Sequence, residues 1–150
     1  MSHTINYQHI VFHTLYNQCV IPEATKRVMF VYILKMCQTR HVNLMRINAY
    51  LNHIHMLVNL PSSISVADFV KMIKQNTSVA FKCSKNFPRF MGWSEGYGAF
   101  SVSVHDSDAV ANYIKNQEQH HHGQVSFRDE YISLLRENGI AFDENTLKDM

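Results

Sequence analysis

His53 and His55 stand two residues apart in Asn52-His53-Ile54-His55-Met56-Leu57-Val58-Asn59-Leu60-Pro61. The apolar run reads as a β-strand, and a strand sends alternate side chains to opposite faces. Both imidazoles therefore point one way, while Ile54, Met56, Val58 and Leu60 point the other way, toward a core. Two imidazoles on one face can hold a single metal ion; the plainer alternative is a pair of histidines on an exposed face. A second stretch, Asn112-Tyr113-Ile114-Lys115-Asn116-Gln117, lies in a helical segment and puts Tyr113 and Gln117 four residues apart on one side. A tyrosine beside a bound cation permits phosphoryl transfer. Its ordinary pKa of about 10 makes the phenol a weak nucleophile at neutral pH, so a metal or a base must help it. The sequence offers no unambiguous base.

The elements that must position these residues follow from periodicity and breakers. Tyr7 to Tyr16 reads as a first strand, with a turn at Asn17-Gln18 and a helix start at Pro22. Glu23 to Cys37 reads as a helix whose apolar side would be Val28, Val31, Ile33, Leu34 and Met36. Val42 to Leu51 is a second strand, Asn52 a turn, and His53 to Leu60 a third strand. Ser63 or Ser65 caps a helix running to about Lys82, with Val66, Phe69, Val70, Ile73, Val79 and Ala80 as its buried stripe. A loop from Asn86 to Glu95 contains Phe90 and Trp93, which suit the core better than base stacking. Tyr97 to Val104 is a fourth strand, with Gly96 and Gly98 at its start. Asp106 or Ser107 caps a helix to about His121, and Ser126 with Asp129 caps a last helix ending near Glu137. The order β-α-β-β-α-β followed by helices predicts an α+β fold: a ferredoxin-like antiparallel sheet with helices on one face and additional C-terminal helices.

Composition sets the class. At 150 residues, 46% hydrophobic and 17% charged, the chain is expected to be one globular domain spanning residues 1–150. No apolar run reaches the ~18 residues of a membrane span, and Met1 to Asn6 carries no visible signal peptide. Cys19, Cys37 and Cys83 form no Cys-x-x-Cys and are expected to be reduced, mostly buried thiols of a cytoplasmic protein. A net charge of +2 does not announce nucleic-acid binding, so any DNA surface must come from local clustering.

Histidine–hydrophobe–histidine on a strand followed by Tyr-x-x-x-Gln on a late helix resembles the single-tyrosine HUH transposases, of the insertion-sequence and REP-associated type. Ile10-Val11-Phe12-His13-Thr14, Trp93 to Ser101 and Gln117 to His121 look like that family too. The resemblance covers about residues 5 to 145, and it implies the following. Tyr113 is the catalytic nucleophile. His53, His55 and Gln117 hold a divalent Mg2+ or Mn2+ ion, although two imidazoles and an amide suit manganese or a later transition metal better. The substrate is single-stranded DNA with hairpin ends, cut through a 5′-phosphotyrosine intermediate that leaves a free 3′-hydroxyl. The assembly is a homodimer, in which the short segment His105 to Asp108 leaves both cis and trans docking of the tyrosine helix open. Lys71, Lys74, Lys82, Lys85 and Arg89, with His120 and His121, become candidate DNA contacts. One departure is Leu15 after Thr14, where family members often carry lysine. Two other readings share parts of this evidence: a domesticated HUH nickase acting on repeated palindromes, and a non-catalytic single-strand-binding module that would not need Tyr113.

Overall fold

The computed structural model describes residues 1–122 and 125–148. Alternating apolar runs make four strands: β1 (Tyr7–His13), β2 (Asn43–Tyr50), β3 (His53–Asn59) and β4 (Gly98–Val102). They pair antiparallel in the order β2-β3-β1-β4. Helix α1 (Lys26–Thr39) joins β1 to β2, and α2 (Val66–Phe81) joins β3 to β4, giving the ferredoxin-like βαββαβ arrangement. Three more helices follow: α3 (Ser107–Lys115), α4 (Gln117–His122) and α5 (Phe127–Glu137). Among the described residues no helix is long and apolar enough to cross a membrane.

Register decides which side chains meet. Val11 pairs with His55 and His13 with His53 on β3, while Asn48 of β2 also faces His55. Ile10, Phe12, Ile54, Met56 and Val58 therefore share the opposite face, where they build the main core with Met29, Ile33, Phe69, Val70 and Ile73 of α1 and α2. On the histidine face Val11 and Phe100 pack with Phe127, Leu134 and Leu135 of α5. The sheet is thus covered on both sides, not on one: α1 and α2 take the apolar face, and the C-terminal helices close the polar one.

Several local expectations change. In α1 the buried residues are Lys26, Met29, Ile33 and Cys37, whereas Val28, Val31 and Leu34 are 43%, 50% and 40% exposed. Steps of three, four and four keep one face of a helix together, while repeated steps of three drift by about 60° each. Val79 of α2 is likewise exposed. Ser65, not Ser63, caps α2, its hydroxyl accepting from the Asp68 amide at 3.0 Å. Asp106 is the N-cap of α3 but its side chain makes no capping bond. Cys37 is buried, but Cys19 and Cys83 are exposed free thiols. Phe90 is buried, and Trp93 sets its ring edge-on to Phe12 at 4.8 Å and donates from Nε1 to Thr77 Oγ1 at 2.8 Å, so both serve the core. Past α5 the chain folds back, burying Leu147 and part of Phe142 in the second cluster.

Ile54 lies between the two histidines but is fully buried on the opposite face. Ile54→Ala is expected to cost about 2–5 kcal/mol in urea unfolding while leaving metal binding by the folded protein intact. A variant of normal stability would put Ile54 outside the core.

Candidate active site

The tight turn between β2 and β3 holds Leu51 at φ 57° and leaves Asn52 Oδ1 2.8 Å from His53 Nδ1. Asn52 Nδ2 is committed to Asn17 Oδ1 at 2.9 Å, so its oxygen faces the ring and His53 donates from Nδ1. His53 Nε2 is then the atom turned toward the C-terminal helices. Behind His55, the His9 ring stacks on it and brings Nε2 within 2.8 Å of His55 Nδ1. Burial, then the neighbouring His55, pushes His9 down to about 3, and burial pushes His53 down to about 4, so both are neutral near pH 7.

Both inward-facing Nε2 atoms meet one carboxylate. Glu130, in the first turn of α5, places Oε1 3.1 Å from His55 Nε2 and 3.2 Å from His53 Nε2. Its Oε2 accepts a hydrogen bond from the Tyr113 hydroxyl and another from Gln117 Nε2 at 3.0 Å. Gln117 Oε1 lies 3.1 Å from His53 Nε2. Burial alone would raise the Glu130 carboxyl, but the close imidazoles of His121, His53 and His55 outweigh it and hold the group far below the usual carboxylate range. Tyr113 is shifted the other way: burial, then the Glu130 charge, pushes its phenol well above the ordinary value. At rest the proton therefore stays on the tyrosine. His53, His55 and Glu130 each offer a donor atom within 4.8 Å of the others, and all three are buried. Imidazole nitrogens and a carboxylate oxygen converging in a dry site fit a divalent cation.

The tyrosine comes from a helix that breaks where a continuous one is expected. α3 ends at Lys115, and Asn116 sits at φ −98°, ψ 25° before α4 begins. The break follows from β2: Asn48 Nδ2 donates to the last-turn carbonyls of Ile114 and Lys115 at 3.0 and 3.1 Å. The buried Lys26 ammonium donates to Asn48 Oδ1 and the Ala49 carbonyl, both at 3.1 Å, and to Glu118 Oε1 at 2.8 Å. Tyr113 and Gln117 nevertheless reach the same carboxylate from either side of the break.

A model of the IS200-like transposase family matches residues 2–117. The chain belongs to the IS200-like transposase family. Relatives include the transposase for insertion sequence element IS200 of Salmonella typhimurium and that of Salmonella typhi. Each is 25% identical over 114 residues, which is 73% of this chain and 74% of the relative. A crystal structure of a Deinococcus radiodurans R1 protein assigned as a transposase superposes with a TM-score of 0.57 at 19% identity, covering 77% of this chain and 93% of that one. A REP-associated tyrosine transposase bound to a REP hairpin superposes with a TM-score of 0.59 at 15% identity, covering 81% and 74%. Both share the fold.

Within this IS200-like chain, His53, His55, Tyr113 and Gln117 come together as one cluster. Lys71, Lys74, Lys82, Lys85 and Arg89 do not join them: they lie on α2 and the loop after it, across the sheet. Lys74 is half-buried and donates to the carbonyls of Ser94 and Gly96. His120 lines a cleft of about 640 Å³ beside Tyr113, together with His9, Phe100, Glu130 and Glu137. His121, expected on a DNA-facing surface, instead turns its nearly buried side chain into the cluster, 3.3 Å from Glu130 Oε1. Glu130, His9, Asn48 and Lys26 are not evident from motifs. Glu130 does leave a trace: Phe127, Glu130 and Leu134 share the core-facing stripe of α5, where a carboxylate needs a partner.

Glu130→Gln keeps the shape but removes the charge that helps raise the Tyr113 phenol. The phenol is expected to titrate lower than in the parent yet still above an ordinary tyrosine, because burial remains. A pH titration of 13C-labelled tyrosine by NMR reads this, and an unmoved Tyr113 resonance would remove the contact.

Proposed function

We propose that this chain is a transposase that cuts and rejoins single-stranded DNA by transesterification, with Tyr113 as the nucleophile and the 150 residues acting as one catalytic domain. The observation that supports this best is the shared carboxylate: one oxygen of Glu130 holds the Tyr113 hydroxyl while the other faces His53 and His55 within the same chain. In the forward step the Tyr113 oxygen bonds to phosphorus and the bond from phosphorus to the 3′ oxygen breaks. The phenol gives up one proton and the departing 3′ oxygen takes one up to end as a hydroxyl, so the step consumes no net proton. The number of phosphate ester bonds is unchanged, so joining to a second 3′-hydroxyl is the reverse step and needs no ATP. A divalent Mg2+ or Mn2+ ion on His53, His55 and Gln117, with Glu130, would supply positive charge to the scissile phosphate.

The chain's own groups do the positioning. His9 orients His55, Asn52 orients His53, and Asn48 with Lys26 fixes the break that aims Tyr113. The cleft between α3 and α5 gives a strand access to the phenol. A binding module would have no use for a tyrosine tied to a buried carboxylate. Lys71, Lys82, Lys85 and Arg89, exposed across the sheet, together with Lys74, suit phosphate contacts to a hairpin, as a relative bound to a REP hairpin suggests. We place the protein in the cytoplasm as a homodimer whose protomers each carry a site.

Incubated with Mn2+ and single-stranded oligonucleotides from the flanks of its own coding sequence, the wild type is expected to form a covalent adduct. Tyr113→Phe should bind the same DNA and form none. Mass spectrometry locating the modified peptide at Tyr97 instead would overturn the assignment. Replacing one of Lys71, Lys82 or Lys85 by alanine should weaken hairpin binding across sequences and flatten the log–log salt slope by about 1; an unchanged slope would take that lysine out of the DNA surface.

A further inference from the structure

Tyr113, Gln117 and His121 recur every four residues, and the third member also reaches the cluster. His121 Nδ1 lies 2.6 Å from the Val125 carbonyl, which can only accept, so this nitrogen carries a proton. His121 Nε2 points inward. It stands 3.1 Å from His53 Nε2, 3.2 Å from Gln117 Oε1 and 3.3 Å from Glu130 Oε1. His53 is set the same way, its Nδ1 donating outward to Asn52 Oδ1. When both rings are neutral, two nitrogen lone pairs and two oxygens confront one another across about 3 Å. Such a ring of acceptors needs positive charge at its centre.

A metal ion supplies it, on two geometric grounds. Donors bound to one ion at about 2.0–2.2 Å stand about 2.8–3.6 Å apart at right-angled to tetrahedral bond angles. The separations from Glu130 Oε1 to His53, His55 and His121, and those among His53, Gln117 and His121, fall in that span, while the donor atoms of His53, His55 and Glu130 lie within 4.8 Å of one another. Histidine ligands characteristically donate their other ring N–H to a carbonyl or amide oxygen, as His53 and His121 do. The family match ends at residue 117, so His121 and Glu130 both come from beyond it.

We propose that His121 is a third imidazole ligand, joining His53, His55, Gln117 and Glu130 in a three-histidine centre that takes a first-row transition-metal ion in preference to magnesium. This rests on the reading that His53 and His55 hold the catalytic cation. Three imidazoles favour ions from manganese to zinc, whereas Mg2+ retains water and oxygen ligands.

The probe is Co2+ added to the full-length, metal-free protein. Isothermal titration should give an affinity for Co2+ at least about a hundredfold above that for Mg2+. X-ray absorption of the Co2+-loaded wild type should count three imidazoles, a readout that needs no variant to fold. His121→Ala and the milder His121→Gln should each lose about tenfold or more in Co2+ affinity and drop the count to two, while His105→Ala, on the exposed turn before α3, changes neither. Two imidazoles in the wild type, or unchanged affinity in both His121 variants while His53→Ala loses binding, would overturn the proposal and leave the underlying reading intact. Unchanged Co2+ binding in His53→Ala as well would bring down that reading and this proposal together.

Discussion

A carboxylate stripped of water must be paired or it destabilises the fold by several kcal/mol. Glu130 is 2% exposed, and the rest of the molecule is arranged around satisfying it. Two strand imidazoles, a third from α4, an amide and a phenol all turn toward its two oxygens. Each comes from a different commitment of the backbone: β3 supplies His53 and His55, α3 the tyrosine, and the segment after the break Gln117 and His121. Removing any one leaves the others facing an underpaired charge. The cluster therefore couples the docking of α5 to the placement of the tyrosine.

That coupling has a counterpart on β2. Lys26 is a buried cation, and it is held by Asn48, the Ala49 carbonyl, Glu23 and Glu118. Asn48 in turn takes up the end of α3. The two networks meet at the C-terminal end of α3, one through its last carbonyls and one through the Tyr113 side chain. In this chain the end of that helix is held by directional contacts to buried polar groups as well as by the buried Ile114 side chain.

Much of this was legible in the residues. Alternation along His53 to Leu60 predicted both the strand and the separation of the two histidines from the main core, because a period of two leaves no other choice when one face must be apolar. Four-residue spacing paired Tyr113 with Gln117 correctly, although the helix between them is interrupted. What stayed hidden depends on tertiary partners. The break at Asn116 is imposed by Asn48, which lies 68 positions earlier and looks like an ordinary strand residue. Glu130 reads as a first-turn acid favourable to a helix N-terminus, and only its place on the apolar stripe hints otherwise. Val28, Val31 and Leu34 misled for the opposite reason: they are apolar but drift off the face that Met29, Ile33 and Cys37 keep.

We propose that one chain holds a complete site. Mixing Tyr113→Phe with a His53→Ala/His55→Ala double variant tests it directly, once exchange of tagged subunits has been demonstrated. If tyrosine and histidines act within a chain, every site in the mixture keeps one defect, and no covalent adduct with single-stranded DNA forms in Mn2+. Adduct appearing in the mixture, when neither parent gives any, would mean that the tyrosine of one protomer serves the histidines of another, and would contradict a site built within one chain.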